Sequence, residues 1–173
     1  MLAAFISNPP LSSSWNEMYL MLGSSAAALI GLLFVATSLH LAEIANEEIY
    51  RLRAQYTMLV LINTLVQSIA ILMPQPITVL GLELLAVSMS GLLFPITLLS
   101  KVIKIPRSRR VGFSVRIAWV FAAAYLVGFA GAVAMVTGRE WGMYGVSVSC
   151  ATLLANSTWA GWMIMQGIGR FEK

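Results

Sequence analysis

The sequence predicts an all-α membrane protein, a polytopic bundle of about five transmembrane helices in a single domain covering residues 1–173. Hydrophobic residues make up 59% of the chain and charged residues only 10%, against roughly 25% charged in typical soluble proteins. Apolar stretches of the length that crosses a bilayer, roughly 20 residues, recur along the chain. Basic residues are concentrated in segments that such a bundle places on one side of the membrane.

Five stretches are long and apolar enough to span the bilayer, at about 18–41, 54–72, 77–100, 117–137 and 143–165. We expect helices, because a helix satisfies its own backbone hydrogen bonds, as hydrocarbon requires. The Met-Pro-Gln-Pro run at 73–76 ends the second span and starts the third, since proline lacks an amide donor. The polar run at 137–140 separates the last two spans. Both connections are so short that the spans they join should form antiparallel hairpins.

The distribution of basic residues predicts the orientation. Residues 1–10 contain no Lys or Arg, unlike the start of a secretory signal peptide, so we expect the first span to be retained. With five spans, Arg139 lies on one side, and the ten other Lys and Arg residues of the eleven in the chain lie on the opposite side. Cytoplasmic segments are enriched in basic residues. We therefore expect the N-terminus outside and the C-terminus in the cytoplasm; four spans would separate the basic loop from the basic tail.

Small residues at four-residue spacing mark two helix faces that can pack closely in lipid. The rows are Gly23, Ala27 and Gly31 in the first span, and Ala124, Gly128 and Ala132 in the fourth. Either row can pack within one protomer or form the seam of a homo-oligomer. Because five helices enclose little interior, we expect a homo-oligomer on either interpretation.

Aromatic residues fall near several predicted membrane–water boundaries, where their amphipathic rings are favoured. Trp15, Trp119, Trp141 and Tyr144 are interpreted as interfacial anchors. Trp159 and Trp162 lie deeper in the last span, and we expect them to pack against other helices.

Polar residues within the spans are the candidate functional residues, because an ionisable group in the bilayer is costly. Glu83 lies six residues into the third span, roughly 9 Å along the helix. If the polar faces converge, they form an outward-opening pathway that involves Glu83, Gln67, Asn63, Ser90, Asn156 and Glu17. The alternative is that these residues, Glu83 included, have only a structural role and form hydrogen bonds between helices.

Two features lie at the cytoplasmic end. His40, the only histidine, is a possible pH sensor, because histidine changes charge between pH 5 and 8; a packing role is the alternative. The loop that follows the third span is strongly basic and is a candidate contact for anionic lipids, unless it serves only as the topology signal. Its candidate residues are Lys101, Lys104, Arg107, Arg109 and Arg110.

The residue inventory argues against catalysis. The chain has one histidine, one cysteine and no aspartate, whereas an active site usually needs several such groups within reach of one another. Cys150 is expected to act as a small apolar residue. We expect a non-enzyme with no cofactor and no metal site, and no motif indicates nucleic-acid binding.

Within the first span, the run from Met21 to Leu39 resembles the first helix of a family of small prokaryotic multi-pass membrane proteins with no assigned activity. Residues 81–87 are similar to a stretch of the same proteins. This resemblance implies a prokaryotic cytoplasmic (inner) membrane and carries over no functional residue. Two functional hypotheses remain open. One is a small oligomeric ion or solute channel or transporter with a pathway near Glu83, and the other is an accessory or regulatory subunit that binds another membrane protein.

Overall fold

A computed structural model describes residues 13–40, 48–104 and 115–168, with side chains described for 15–40, 51–93 and 119–163. All regular secondary structure in these ranges is helical. There are five helices: α1 (Ser13–Leu39), α2 (Glu48–Leu72), α3 (Ile77–Lys104), α4 (Val115–Val136) and α5 (Gly142–Ile168). The all-α prediction is therefore confirmed for the part of the chain that the structure describes.

Three of these helices contain segments long and apolar enough to cross a membrane. The segments are Trp15–Leu39, Arg51–Leu72 and Trp119–Val136, of 25, 22 and 18 residues. At about 1.5 Å per residue they are roughly 27–37 Å long, which matches a hydrocarbon core of roughly 30 Å. In α3 the apolar segment with described side chains, Ile77–Leu93, is shorter. In α5 several serine, threonine and asparagine residues interrupt the apolar sequence.

The two tight connections have different structures. Between α2 and α3, Pro76 accepts the first hydrogen bonds of α3 through its carbonyl oxygen, from the amides of Val79 and Leu80, both at 3.0 Å. After α4, Gly138 adopts a left-handed conformation with φ of 77°. Its amide and that of Arg139 bond back to carbonyls in the last turn of α4, at 2.9 and 3.0 Å. This is the Schellman arrangement, which favours glycine at the left-handed position.

The helices pack so that α4 lies between α3 and α5, while α2 contacts α1, α3 and α5. One group of buried side chains, around Tyr19, Leu80, Leu84 and Met135, joins all five helices near the two tight turns. A second group lies around Tyr56 and Phe121, whose rings meet edge to face at 4.8 Å. Large apolar side chains are exposed on the outside, such as Leu32 at 67% and Leu39 at 75%. An apolar exterior is what a lipid-covered bundle requires.

Glycines bring α4 and α5 into backbone contact. A Cβ atom built on Gly131 would lie 2.6 Å from the carbonyl oxygen of Gly142 and 3.0 Å from the amide nitrogen of Val146. The reciprocal Cβ on Gly142 would overlap the carbonyl oxygen of Gly131, and one on Gly145 would lie 3.2 Å from Gly131 Cα. Larger residues at these positions would therefore force the two helices apart.

Candidate functional site

Glu83 lies on the exposed surface of α3, and a residue of the preceding turn holds it there. The Gln75 amide nitrogen donates to Glu83 Oε2 at 2.8 Å and to the carbonyl oxygen of Ala70 at 3.1 Å. Gln75 stands between two prolines, and each proline ring fixes its own φ angle. Through Gln75, the Glu83 carboxylate is therefore connected by hydrogen bonds to the C-terminal end of α2, and the turn that carries Gln75 is conformationally restricted.

The face of α3 around Glu83 is otherwise almost wholly apolar. Leu82, Ala86 and Met89 are exposed beside it. Ser90 is also exposed, and its hydroxyl donates to the carbonyl oxygen of Val87 in the same helix at 2.7 Å. A serine bonded to its own helix presents little unsatisfied polarity. Glu83 is thus the charged group of an outward-facing apolar surface.

Gln67 and Asn63 of α2 point into the bundle instead. Gln67 is 1% exposed, and the thiol of Cys150 donates to its Oε1 at 3.0 Å. The Asn63 side-chain amide donates to the hydroxyl oxygen of Tyr125 at 3.1 Å. These two contacts link α2 to α5 and to α4 through side-chain hydrogen bonds.

A third polar pair lies beside them and completes a buried polar cluster. Tyr19 of α1 and Ser147 of α5 share a hydrogen bond of 2.8 Å between their hydroxyls. Tyr19 packs in the same buried group as Cys150, and Ser147 lies three residues before Cys150 on α5. Asn63, the partner of Tyr125, lies one helical turn before Gln67 on α2. Four helices therefore contribute to what we call the polar cluster, which consists of Tyr19, Asn63, Gln67, Tyr125, Ser147 and Cys150.

The residues of the predicted pathway thus divide into two groups. Glu83, Ser90 and Glu17 lie on the surface, whereas Gln67 is buried and Asn63 and Asn156 are half-buried. Asn156 has an interaction partner.

Sequence reasoning did not select four members of the polar cluster, namely Tyr19, Tyr125, Ser147 and Cys150. Cys150, which was expected to act as an apolar residue, is a hydrogen-bond donor. The two tyrosines in apolar spans were an available signal, because a buried tyrosine hydroxyl usually finds a partner.

The two rows of small residues also differ in position. In α4, Ala124, Gly128 and Ala132 are buried, and a Cβ on Gly128 would lie 2.7 Å from Ser149 Oγ. This row faces α5 within the protomer, where Ser149 donates to the carbonyl oxygen of Ala124 at 2.7 Å.

In α1, only the beginning of the row contacts another helix. A Cβ on Gly23 would meet Ser68 Cβ at 3.0 Å. Ala27 is exposed, and nothing lies within 4 Å of a Cβ built on Gly31. The Ala27–Gly31 part of the row is therefore open to the outside of the bundle.

Exposed aromatic side chains lie at both ends of the bundle. At the end that carries the tight turns, Trp15 packs edge to face on Tyr144, with ring centroids 4.9 Å apart, and Trp141 is 58% exposed. At the other end, Trp119 is 70% exposed. Trp159 and Trp162 are each 59% exposed, so the expectation that they pack against other helices is wrong; their faces of α5 point outward.

The remaining predicted residues are at the ends of helices or beyond them. His40 directly follows α1 and is half-buried. The side chains of Lys101 and Lys104 and the whole of Arg107, Arg109 and Arg110 lie outside the described residues. Within the described ranges, no group of three or more His, Cys, Asp or Glu side chains is arranged to hold a metal ion.

Comparison with known proteins adds no relative to this description. No protein-family model matches the chain. Searches of curated proteins and of solved structures likewise find no match.

Proposed function

We propose that this chain is a multi-pass protein of a prokaryotic cytoplasmic membrane that crosses the bilayer five times, with its N-terminus outside. Beyond the three candidate spans, α3 has 28 residues, enough to cross the bilayer, and the exposed aromatic residues of α5 support a crossing by that helix. Tyr144 and Trp162 of α5 are 18 residues apart, about 27 Å along a helix, which is close to the thickness of the hydrocarbon core, roughly 30 Å. An α5 that runs from one aromatic belt to the other spans the membrane despite its polar residues, several of which form hydrogen bonds inside the bundle.

We further propose that the protein works as a homo-oligomeric channel or transporter for small ions or solutes, with its pathway along the outer face of α3. The observation that carries this proposal is the exposed Glu83 on an apolar surface, fixed by Gln75. A carboxylate facing lipid costs about 2–3 kcal/mol or more. A second copy covering this face removes the carboxylate from lipid and places it in a path between protomers, where Glu83 is the ionisable group on an otherwise apolar wall.

Flux measurements in liposomes test this function. Wild-type protein should conduct small ions, and Glu83→Gln, which keeps the shape and the hydrogen-bonding capacity of the side chain, should reduce or alter the selectivity of the flux. Glu140→Gln is the matched control, because Glu140 is an exposed glutamate in the turn before α5. Equal flux in both variants would remove Glu83 from the mechanism, and absence of wild-type flux across ions and pH would refute the transport function.

The second candidate function is an accessory subunit that binds another membrane protein. The open Ala27–Gly31 face of α1 favours it, since small exposed residues allow a foreign helix to approach closely. Gly31→Leu should then abolish copurification of a stoichiometric partner from native membranes. Gly128 is unsuitable for this test, because its replacement would clash with Ser149 inside the protomer. A homo-oligomer that keeps its composition in Gly31→Leu would contradict the accessory function.

A further inference from the structure

The Gln67 side chain has one buried atom without a hydrogen-bond partner among the described residues. Its Oε1 accepts from Cys150, whereas its Nε2 is buried and unpaired. Rotating the amide by 180° exchanges the two atoms, so Nε2 would face the Cys150 sulfur and Oε1 would become the unpaired atom. One polar atom of Gln67 therefore needs a partner in either orientation.

Leaving such an atom unpaired is costly enough to require an explanation. A buried donor that has lost its water and gained no protein acceptor destabilises the fold by about 1–3 kcal/mol. Buried polar groups in folded proteins are almost always paired, and an internal water is the usual partner when no protein atom is available.

Several hydroxyls of the polar cluster have acceptor capacity to spare. The Tyr125 oxygen accepts from Asn63, and the Tyr19 and Ser147 oxygens share one hydrogen bond. Ser147 donates its own proton to the carbonyl oxygen of Met143 at 2.7 Å, so Tyr19 is the donor to Ser147. A hydroxyl oxygen carries two lone pairs, so the Tyr19, Ser147 and Tyr125 oxygens can each accept a further bond, and the Tyr125 hydroxyl can also donate one. An internal water typically makes about three hydrogen bonds, and this cluster supplies donors and acceptors from four helices.

We infer that the polar cluster binds an internal water molecule, held by the Gln67 amide at the place where α2 meets α5. The ligand is neutral and small, because the site lies within a packed bundle whose surrounding side chains, such as Leu80, Leu84 and Met135, are fully buried. The water joins the Tyr19–Ser147 and Asn63–Tyr125 pairs through Gln67. This site is separate from Glu83 and does not depend on the transport function.

The single cysteine of the chain makes the site measurable. The S–H stretch of Cys150 is the only such vibration in the protein, since the sequence contains one cysteine. In purified wild-type protein moved into D2O, the S–H band should convert to S–D far faster than the backbone amides of α5 exchange, because a neighbouring water delivers the deuterium. In Gln67→Met, the conversion should be about tenfold slower or more, the factor that corresponds to one lost hydrogen bond.

Controls separate this site from general loosening of the bundle. Ile69→Met introduces the same side chain on the exposed face of α2 and should leave the conversion rate unchanged. Gln67→Leu provides a second variant if Gln67→Met does not fold. Wild-type S–H conversion as slow as the α5 amides would overturn the inference, and so would an unchanged rate in a folded Gln67 variant. An experimental map with ordered waters should show density about 2.9 Å from the Gln67 amide, and clearly empty density there would also overturn it.

Discussion

Replacing Gly131 with alanine should weaken the α4–α5 contact, because the structure leaves no room for a methyl group there. The new methyl group would lie 2.6 Å from the carbonyl oxygen of Gly142, about 1 Å inside an ordinary contact distance of roughly 3.5 Å. Because the opposing atoms are backbone, the helices must separate. A gap of about 0.5–1 Å forfeits a quarter to a half of the dispersion energy between facing atoms, and overpacking of this kind costs about 1–3 kcal/mol.

The control for this prediction is Gly161→Ala, on α5. Nothing lies within 4 Å of a Cβ on Gly161, so this variant receives only the helix-propensity gain of alanine over glycine, about 1 kcal/mol. Both variants receive this gain, so it cancels when they are compared. The unfolding free energy of Gly131→Ala should therefore be about 1–3 kcal/mol lower than that of Gly161→Ala. Reversible unfolding from mixed micelles with increasing SDS measures it. Equal stabilities would show that α4 and α5 do not meet at their glycines.

Two further changes test local geometry in the same unfolding assay. Gly138→Ala should lower the unfolding free energy by about 1–2 kcal/mol, because a residue with a Cβ is strained at a φ of 77°. Arg139→Ala, in the same turn, is the control and should lower it much less. Equal losses in the two variants would contradict the Schellman turn. Tyr125→Phe removes the acceptor of the 3.1 Å bond from Asn63 and should cost about 0.6–1.5 kcal/mol. An Asn63→Leu background should abolish that loss, and an undiminished loss would refute the pairing.

The helices themselves could be predicted from the sequence because their signals are local. Proline at 74 and 76 ends one helix and starts the next, and Gly138 ends another, in the structure as in the sequence. Long apolar stretches flanked by such residues have few alternatives in lipid. The described helices accordingly start and end within a few residues of most predicted boundaries.

The direction in which each polar side chain points could not be predicted in the same way. Gln67 and Glu83 both stand in long apolar stretches, yet one is buried and the other is exposed. The difference depends on how α2 and α3 are rotated against their neighbours. For α3, Gly81 helps to fix this rotation, because a Cβ built on it would lie 2.7 Å from the backbone nitrogen of Val136 in α4. The low amphipathicity of apolar membrane helices leaves little periodic signal of that rotation.

The partners within the polar cluster also depend on tertiary contacts. Cys150 and Gln67 are 83 positions apart and meet only because α5 packs on α2. The spacing of polar residues along one helix predicts that they share a face of that helix. It does not show which neighbouring helix covers the face. The same limit applies to Trp159 and Trp162, whose outward direction is set by the side of α5 that faces α4.

The account depends most directly on α3 and α5 crossing the membrane, and labelling of single cysteines measures this. In a Cys150→Ser background, which keeps a donor beside Gln67, cysteine would replace Met73, Lys104, Arg139 or Lys173 in turn. An impermeant thiol reagent applied to intact cells should label positions 73 and 139, and should label positions 104 and 173 only after permeabilisation. Labelling of 73 and 104 from the same side would remove α3 from the membrane, and labelling of 139 and 173 from the same side would remove α5; either result would contradict the five-span protein.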